Sequence, residues 1–279
     1  TDGNQLLLTY ASADFTELGI ATISQDGHLQ EMIVLETDKF SVVSETQFWQ
    51  ADQVIFNNSP SAFYSPEDVG ELIVFDIKEH SLQAVLTTNR IILFDFNSLT
   101  QHAILLMENR DREQYLALWE GVGNQTEKIF DLGTNEFIAK LSISPSGNLV
   151  AFVLNSETQE TSSGTRQRTI YILDLQTERM EMLLPPTADG IRSISWTSFE
   201  KCLAYIRSEA GNYFASGRRI EFRNLQNHQS SFIESEALGM DITKIALSPT
   251  RSMVAIIPLD PRAVDEVFFY DIPSDVIAE

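Results

Sequence analysis

The segment Leu141-Ser-Ile-Ser-Pro-Ser-Gly-Asn-Leu-Val-Ala-Phe-Val153 predicts a strand, a tight polar turn and a second strand. The same pattern recurs in Ile194-Ser-Trp-Thr-Ser-Phe-Glu-Lys-Cys-Leu-Ala-Tyr-Ile206 and in Ile245-Ala-Leu-Ser-Pro-Thr-Arg-Ser-Met-Val-Ala-Ile-Ile257. Apolar and β-branched residues favour extended backbone, whereas Ser, Pro, Gly and Asn favour the turn between the strands. The recurrence indicates an all-β protein built from repeated modules.

A second pattern follows each of these segments, an apolar strand that ends in a polar residue before a turn. Those polar residues recur at intervals of about 49 residues, and the position expected near Trp119 is weakly marked. We call them the ladder residues: Asp76, Asp174, Asn224 and Asp271. Asp76, Asp174 and Asp271 are expected to brace the turns by accepting hydrogen bonds from backbone amides. A sheet that is apolar on both faces cannot bury both by itself, so we expect the modules to stack around an axis.

These modules predict a single domain over residues 1–279, a six-bladed β-propeller of four-stranded antiparallel blades. The first and last modules are incomplete, so seven blades are the alternative if the chain is truncated. The predicted blades cover residues 1–37, 38–88, 89–133, 134–186, 187–236 and 237–279.

Residues 141–182 resemble the repeat of TolB-like and WD40-like (PD40) propellers, which has a Ser-Pro-Asp-Gly type of turn followed by an apolar Ala-Phe strand. Here the turn is Ser144-Pro-Ser-Gly-Asn148, and the next strand holds Ala151-Phe152. Another module keeps Ser248-Pro249 but has Arg251 in place of the turn glycine. The resemblance implies a fold and not a function, because the same repeat builds periplasmic adaptors, lids of peptidases and other proteins.

The composition limits the classes of partner. The chain has 40 acidic and 19 basic residues, a net charge of −21, so its surface repels phosphate backbones and anionic lipid head groups. We therefore expect no nucleic acid as a ligand, and the absence of a long apolar stretch predicts no insertion into a membrane. The chain starts at Thr1 without an initiator methionine, which favours a periplasmic or extracellular location over a cytoplasmic one.

No motif in the sequence predicts catalysis. The histidines lie in different modules without the spacing of metal ligands, and no nucleophile elbow, zinc-protease motif or phosphate-binding loop occurs. Asp260, Asp265 and Glu266 are oxygen donors of the kind that calcium binds, but their spacing matches no calcium loop. We therefore predict no catalytic residue, no metal and no cofactor, with calcium as an unsupported alternative.

The connections between the second and third strands are long in three modules, at residues 57–70, 155–167 and 208–217. Long loops on a rigid scaffold are where recognition residues concentrate. The first and third of these loops carry aromatic pairs, and two arginines follow the third, so the predicted partner-binding residues are Phe63, Tyr64, Tyr213, Phe214, Arg218 and Arg219. The arginine pair is suited to a carboxylate. The alternatives are that the rings pack against the sheet edges and that the arginines pair with neighbouring acids.

The repeat, the long loops and the missing catalytic motifs favour a non-catalytic protein-binding or scaffold propeller. It would be a component of a larger assembly and would bind through the face that carries the long loops. Two alternatives stay open: a hydrolase or lyase with a small-molecule or glycan site in the central funnel, and the propeller domain of a larger peptidase. Such funnel sites draw one residue from each blade and leave no local motif.

Overall fold

The computed structural model describes residues 5–11, 17–24, 29–36, 43–50, 52–58, 69–121, 123–157, 166–197, 200–210, 218–238, 241–247, 252–258 and 267–272. The chain divides into two compact units, Thr1–Thr134 and Asn135–Glu279. In both units the sheets are antiparallel, and the strands of each sheet lie side by side in chain order.

Among the described residues, the first unit contains three sheets. Its first sheet has three strands, β1 (Gln5–Ala11), β2 (Glu17–Ser24) and β3 (Leu29–Glu36). Its second sheet has four strands, β4 (Val43–Gln50), β5 (Gln53–Asn58), β6 (Gly70–Asp76) and β7 (Ser81–Thr88). Its third sheet has β8 (Arg90–Asn97), β9 (His102–Glu108), β10 (Gln114–Trp119) and β11 (Thr126–Asp131).

The described part of the second unit also contains three sheets. The first has β12 (Glu136–Ile143), β13 (Leu149–Glu157), β14 (Arg166–Asp174) and β15 (Arg179–Thr187). The second has β16 (Gly190–Trp196), β17 (Cys202–Ser208), β18 (Arg218–Asn224) and β19 (Ser230–Glu234), followed by the helical turn α1 (Ser235–Leu238). The third has β20 (Ile242–Leu247), β21 (Met253–Pro258) and β22 (Phe268–Asp271).

The prediction of six four-stranded blades, or of seven in a longer chain, is wrong because fewer than six of the described sheets are complete blades. Four sheets of the described residues have four strands, but the β1–β3 and β20–β22 sheets have three strands each. The repeat period locates modules but does not show how many strands each contributes, because turns and strands of similar composition alternate throughout. The single-domain assignment and its blade boundaries stay predictions.

The second strand of each four-stranded sheet is buried on both faces. Val54, Ile55 and Phe56 of β5 are fully buried, and so are Leu203 and Ala204 of β17. Strands covered on both faces need continuous apolar runs, and this is why the repeat carries such runs in place of strict alternation. The outermost strands β7 and β15 begin instead with four exposed residues each.

Within each unit, neighbouring sheets pack face to face with their first strands side by side. In the first unit β4 lies beside both β1 and β8, and in the second unit β16 lies beside both β12 and β20. Apolar clusters join successive sheets, as between Ile55 and Phe94 in the first unit and between Ala151 and Leu203 in the second. This is how adjacent blades of a β-propeller pack.

Side chains of the first strands also tie neighbouring sheets together. Trp196 Nε1 donates to the Ser142 carbonyl at 3.1 Å, and Ser193 Oγ donates to the Ile245 carbonyl at 3.1 Å. Small serine side chains suit these crowded positions, because they leave room for close approach and satisfy a backbone acceptor. No helix among the described residues has the length and apolar composition that crossing a membrane requires.

The turns that follow the third strands are closed by the ladder residues. Asp174 Oδ1 accepts hydrogen bonds from the amides of Gln176 and Thr177 at 2.9 and 3.0 Å. Asp76 and Asn224 accept from the equivalent amides of their own turns, which confirms the predicted brace at Asp76 and Asp174. The amide of Thr177 is the main cause of a lowered pKa at Asp174. Four residues after each brace the backbone is left-handed, at His80, Glu178 and His228.

Candidate binding surface

Each four-stranded sheet has two ends with different connections. We call the end where the second strand passes into the third the loop end, and the end where the third strand turns into the fourth the turn end. Residues 57–70 and 208–217, the long connections predicted to bind a partner, belong to the loop end. At the turn end of sheets β4–β7, β12–β15 and β16–β19 the connections are short and closed by their own Asp and Asn side chains.

Four of the six predicted partner-binding residues, Phe63, Tyr64, Tyr213 and Phe214, lie outside the described residues. So do the calcium candidates Asp260, Asp265 and Glu266. Their assignments stay predictions. The two arginines that complete the predicted set, Arg218 and Arg219, begin strand β18, and because they are consecutive they point to opposite faces of the sheet.

Arg218 is buried, with 1% of its side chain exposed. Its Nη1 donates to the Ile242 carbonyl at 2.7 Å, and its Nε lies 3.6 Å from Asp241 Oδ1. Burial lowers the pKa of the guanidinium, and the charge of Arg192 lowers it further. In this arrangement Arg218 fastens the loop end of its sheet to strand β20 of the next sheet.

Arg219 is half-buried and lies on the other face of β18. Its guanidinium lies over the ring of Phe232, with 5.2 Å from Cζ to the ring centroid. Its Nη2 lies 3.5 Å from Glu221 Oε2. The sequence also allowed the alternative that the arginines pair with neighbouring acids, and this pairing forms part of the environment of both. Their role in binding stays a prediction.

A buried carboxylate, Glu221, lies at the centre of the same face of sheet β16–β19. Tyr205 Oη and Ser230 Oγ donate to Glu221 Oε1 at 2.7 and 2.9 Å, and Arg207 Nη1 donates to Oε2 at 3.2 Å. Only 4% of the Glu221 side chain is exposed. Each donor comes from a strand next to β18, so the carboxylate joins β17, β18 and β19.

The environment sets the protonation of this group. Burial alone would raise the pKa of Glu221, but the hydrogen bonds from Tyr205, Ser230 and Arg207 outweigh it, and the pKa lies below its ordinary value. Burial and the hydrogen bond to Glu221 raise the pKa of Tyr205. The pair is therefore a charged carboxylate that accepts from a neutral phenol, and this network holds a buried charge with satisfied oxygens.

Arg207 extends the network to the loop end. Its Nε donates to Asp189 Oδ2 at 2.7 Å, and Asp189 Oδ1 accepts from the amide of Ala210 at 3.2 Å. Asp189 lies in the connection from β15 to β16, and Arg168 of β14 donates to its carbonyl at 3.0 Å. Burial lowers the pKa of Arg207, but its bonds to Asp189 and Glu221 leave it raised overall. The base of the 208–217 loop is thus held by charged hydrogen bonds.

The first unit is fastened at its loop end by neutral and charged side chains. Asn57, with 1% of its surface exposed, donates from Nδ2 to the Ile91 carbonyl at 2.9 Å and so joins β5 to β8. Arg90 Nη1 donates to Glu108 Oε1 at 3.2 Å between β8 and β9. The end of β5, from which the 59–68 segment departs, is therefore fastened to the next sheet.

A recess at the turn end lies between sheets β12–β15 and β16–β19. Its volume is about 360 Å³, and its lining combines apolar side chains, among them Leu149, Ile172 and Leu225, with the charged Asp174 and Arg179. Glu181, which also lines it, lies 3.4 Å from His228 Nε2. The volume is at the small end of the range for ligand pockets.

The side chains that usually bind metals do not cluster in the described part of the chain. No group of three or more His, Cys, Asp or Glu residues there is arranged to hold a metal ion. Cys202 is buried and unpaired, and burial raises the pKa of its thiol. A buried thiol with a raised pKa is a structural side chain, as its position in an apolar strand predicts.

Sequence reasoning missed the Glu221 network. The signal was the alternation Arg219, Glu221, Arg223 on one face of β18, with Tyr205 on the neighbouring strand. From the sequence alone, such charged residues are expected to face solvent. Only strand pairing and register show that Tyr205 lies opposite Glu221.

The packing of successive sheets by their first strands defines this protein as a β-propeller. The predicted resemblance to TolB-like propellers is confirmed at the level of the fold, since TolB from Acinetobacter baumannii superposes with a TM-score of 0.64 at 10% identity. The superposition covers 94% of this chain and 63% of the TolB chain. Identity this low carries the fold and nothing further.

Two other solved structures are similar. The β-propeller domain of the trilobed protease from Pyrococcus furiosus gives a TM-score of 0.59 at 10% identity, over 97% of this chain and 80% of that domain. A chain of the nidogen/laminin complex gives 0.58 at 12% identity, over 97% and 94% of the two chains. No protein-family model and no curated protein sequence matches the chain.

Proposed function

We propose that this chain is a non-catalytic protein-binding propeller, a component of a larger assembly, which recognises its partner through the loop end of its sheets. The observation that carries the proposal is the contrast between the two ends. Long connections leave from strand ends that charged side chains fasten, as the buried Arg218 and the partly exposed Arg207 do around the 211–217 segment. The short turns at the opposite end are closed by hydrogen bonds from their own backbone amides to Asp or Asn side chains of the same turn.

Rigid bases under long loops favour binding, because less ordering is then required when the partner docks. Phe63, Tyr64, Tyr213 and Phe214 are side chains of the type that dominates interface energetics. Nidogen, one of the similar propellers, is seen in a complex with laminin, which supports protein recognition as a use of this fold. The similar propeller domain of a protease supports the alternative of a peptidase domain to the same coarse degree.

Replacing the four loop aromatics Phe63, Tyr64, Tyr213 and Phe214 with alanine is expected to abolish capture of the partner. Losing two or more anchor side chains at about 2 kcal/mol each lowers affinity by a factor of about 1,000. The measurement is affinity capture from the native source with tagged chains, followed by mass spectrometry of the proteins that bind in stoichiometric amounts.

The matched control removes exposed apolar side chains from the turn end. Leu82 and Leu99 are 42% and 71% exposed there, and their replacement by alanine should leave capture unchanged. Equal capture by the loop variant and the native chain would contradict the proposal, and so would loss of capture in the Leu82 and Leu99 variant alone.

A further inference from the structure

An exposed aromatic ring lies beside a half-buried arginine at the loop end of sheet β16–β19. Phe232 is 55% exposed on the outermost strand β19, although it is a large apolar residue. The Arg219 guanidinium stacks on it at 5.2 Å. Stacking of this kind fixes the plane of the guanidinium, and 34% of the Arg219 side chain is exposed to solvent.

The charge of Arg219 is only partly compensated by Glu221. The two oxygens of Glu221 already accept from Tyr205, Ser230 and Arg207 at 2.7 to 3.2 Å, whereas the Arg219 Nη2 lies 3.5 Å away. The Nε of Arg219 is buried, so a partner would contact the two Nη groups of this side chain, which is 34% exposed. A guanidinium has five N–H donors in a planar fork, and the two Nη groups carry four of them.

We propose that Arg219 and Phe232 form a clamp for a carboxylate of the protein partner, with an apolar side chain of the same segment packed on the Phe232 ring. The inference rests on the proposed protein-binding function and names the chemistry of one contact. The planar fork matches a carboxylate in two parallel hydrogen bonds, which a lysine could not provide. The exposed ring supplies the apolar half of the contact.

Two acidic neighbours limit the affinity of this clamp, and one of them, Glu221, lies 3.5 Å from the Arg219 Nη2. Glu234 lies directly opposite Arg219 in the register of β18 and β19, and no ion pair within 4 Å joins them in the described part of the chain. Its charge disfavours an incoming carboxylate, and the net charge of −21 repels an acidic partner at long range. Removal of the Glu234 charge should therefore strengthen binding, which a merely structural role of Arg219 would not produce.

The test uses phenylacetate as the probe, because it joins a carboxylate to a ring of the right size. Titration is followed by nuclear magnetic resonance of the Arg219 Nε–H group and of backbone amides in β18 and β19. We expect saturable shifts with phenylacetate and none with phenethylammonium at equal concentration. Arg219→Gln should weaken binding roughly tenfold or more, and Glu234→Gln should tighten it severalfold.

Controls separate the clamp from loss of fold and from general charge effects. Arg110→Gln removes an exposed arginine of the other unit and should not alter the affinity. Arg219→Lys keeps the charge but not the planar fork, and Phe232→Leu keeps the apolar character but not the ring. If the folded Arg219→Lys variant binds phenylacetate weakly, the planar fork is supported. Weak binding by the folded Phe232→Leu variant supports the ring. Equal binding of phenethylammonium, or unchanged binding by Arg219→Gln, would overturn the inference.

The phenylacetate titration and the capture experiment can fail independently of each other. Absence of phenylacetate binding with intact loop-dependent capture removes the clamp and leaves the proposed function. Phenylacetate binding without loop-dependent capture removes the proposed function and leaves an isolated carboxylate site.

Discussion

Replacing Glu221 with alanine is expected to destabilise the protein by about 3–5 kcal/mol, the usual result of removing one partner from a buried charged network. Tyr205 is fully buried and would lose its hydrogen-bond acceptor, and Arg207 would keep Asp189 as its remaining carboxylate. The measurement is urea unfolding followed by circular dichroism. Because three strands meet at this carboxylate, we expect sheet β16–β19 to unfold first.

The matched control is Glu181, whose ion pair with His228 is exposed. The Glu181 side chain is 65% exposed, so its replacement by alanine should change stability by less than about 1 kcal/mol. A loss at Glu221 no larger than that at Glu181 would contradict the role assigned to the network.

The same network carries a pH dependence whose sign follows from its pKa. The pKa of Glu221 lies below the ordinary value of 4.5 in the folded protein. Its contribution is therefore complete above the pKa of the unfolded chain and is lost as the pH falls through the folded pKa. The difference in stability between the native chain and Glu221→Gln should shrink as the pH is lowered below about 4.5.

Replacing Trp119 with alanine is the second large expected effect, a loss of about 3–5 kcal/mol. Trp119 is fully buried in the core of the first unit, next to Trp49 with 5.8 Å between ring centroids. Its Nε1 donates to the Gly123 carbonyl at 2.9 Å and closes the turn after β10. The substitution removes both the core ring and the turn bond.

Trp119→Phe separates these two contributions. Phenylalanine keeps most of the apolar volume but cannot donate to Gly123, so the expected loss is about 1–2 kcal/mol. Thermal unfolding by circular dichroism measures both variants. If alanine and phenylalanine gave equal midpoints, the core contact would not be the main contribution of this residue.

Trp119 shows how far the repeat pattern reaches. It ends the third strand of its sheet, as Asp76, Asp174 and Asn224 end theirs, so the ladder located the turn correctly. It closes that turn differently, through an indole N–H in place of a carboxylate or amide side chain. Gly121 and Gly123 adopt positive φ values of 78° and 70° there, a conformation that glycine adopts without steric cost.

The rest of the fold could be predicted only in part. Apolar runs and turn residues identify strands, because they act locally on the backbone. Strand pairing at the two incomplete sheets depends on distant segments, so the count of complete blades was wrong. The candidate site was likewise predicted only where the signal is local, since Arg218 and Arg219 were found as a basic pair. Their opposite orientations and the acceptor role of Glu221 depend on register across three strands.

We propose that the loop end of this propeller binds a protein. Hydrogen–deuterium exchange of the native chain, alone and in the complex recovered by affinity capture, is the decisive measurement. We expect slower exchange in the complex at residues 57–70 and 208–217 and at the strand ends that hold them. Protection confined to the turn-end segments 76–80, 174–178 and 224–228 would contradict the claim.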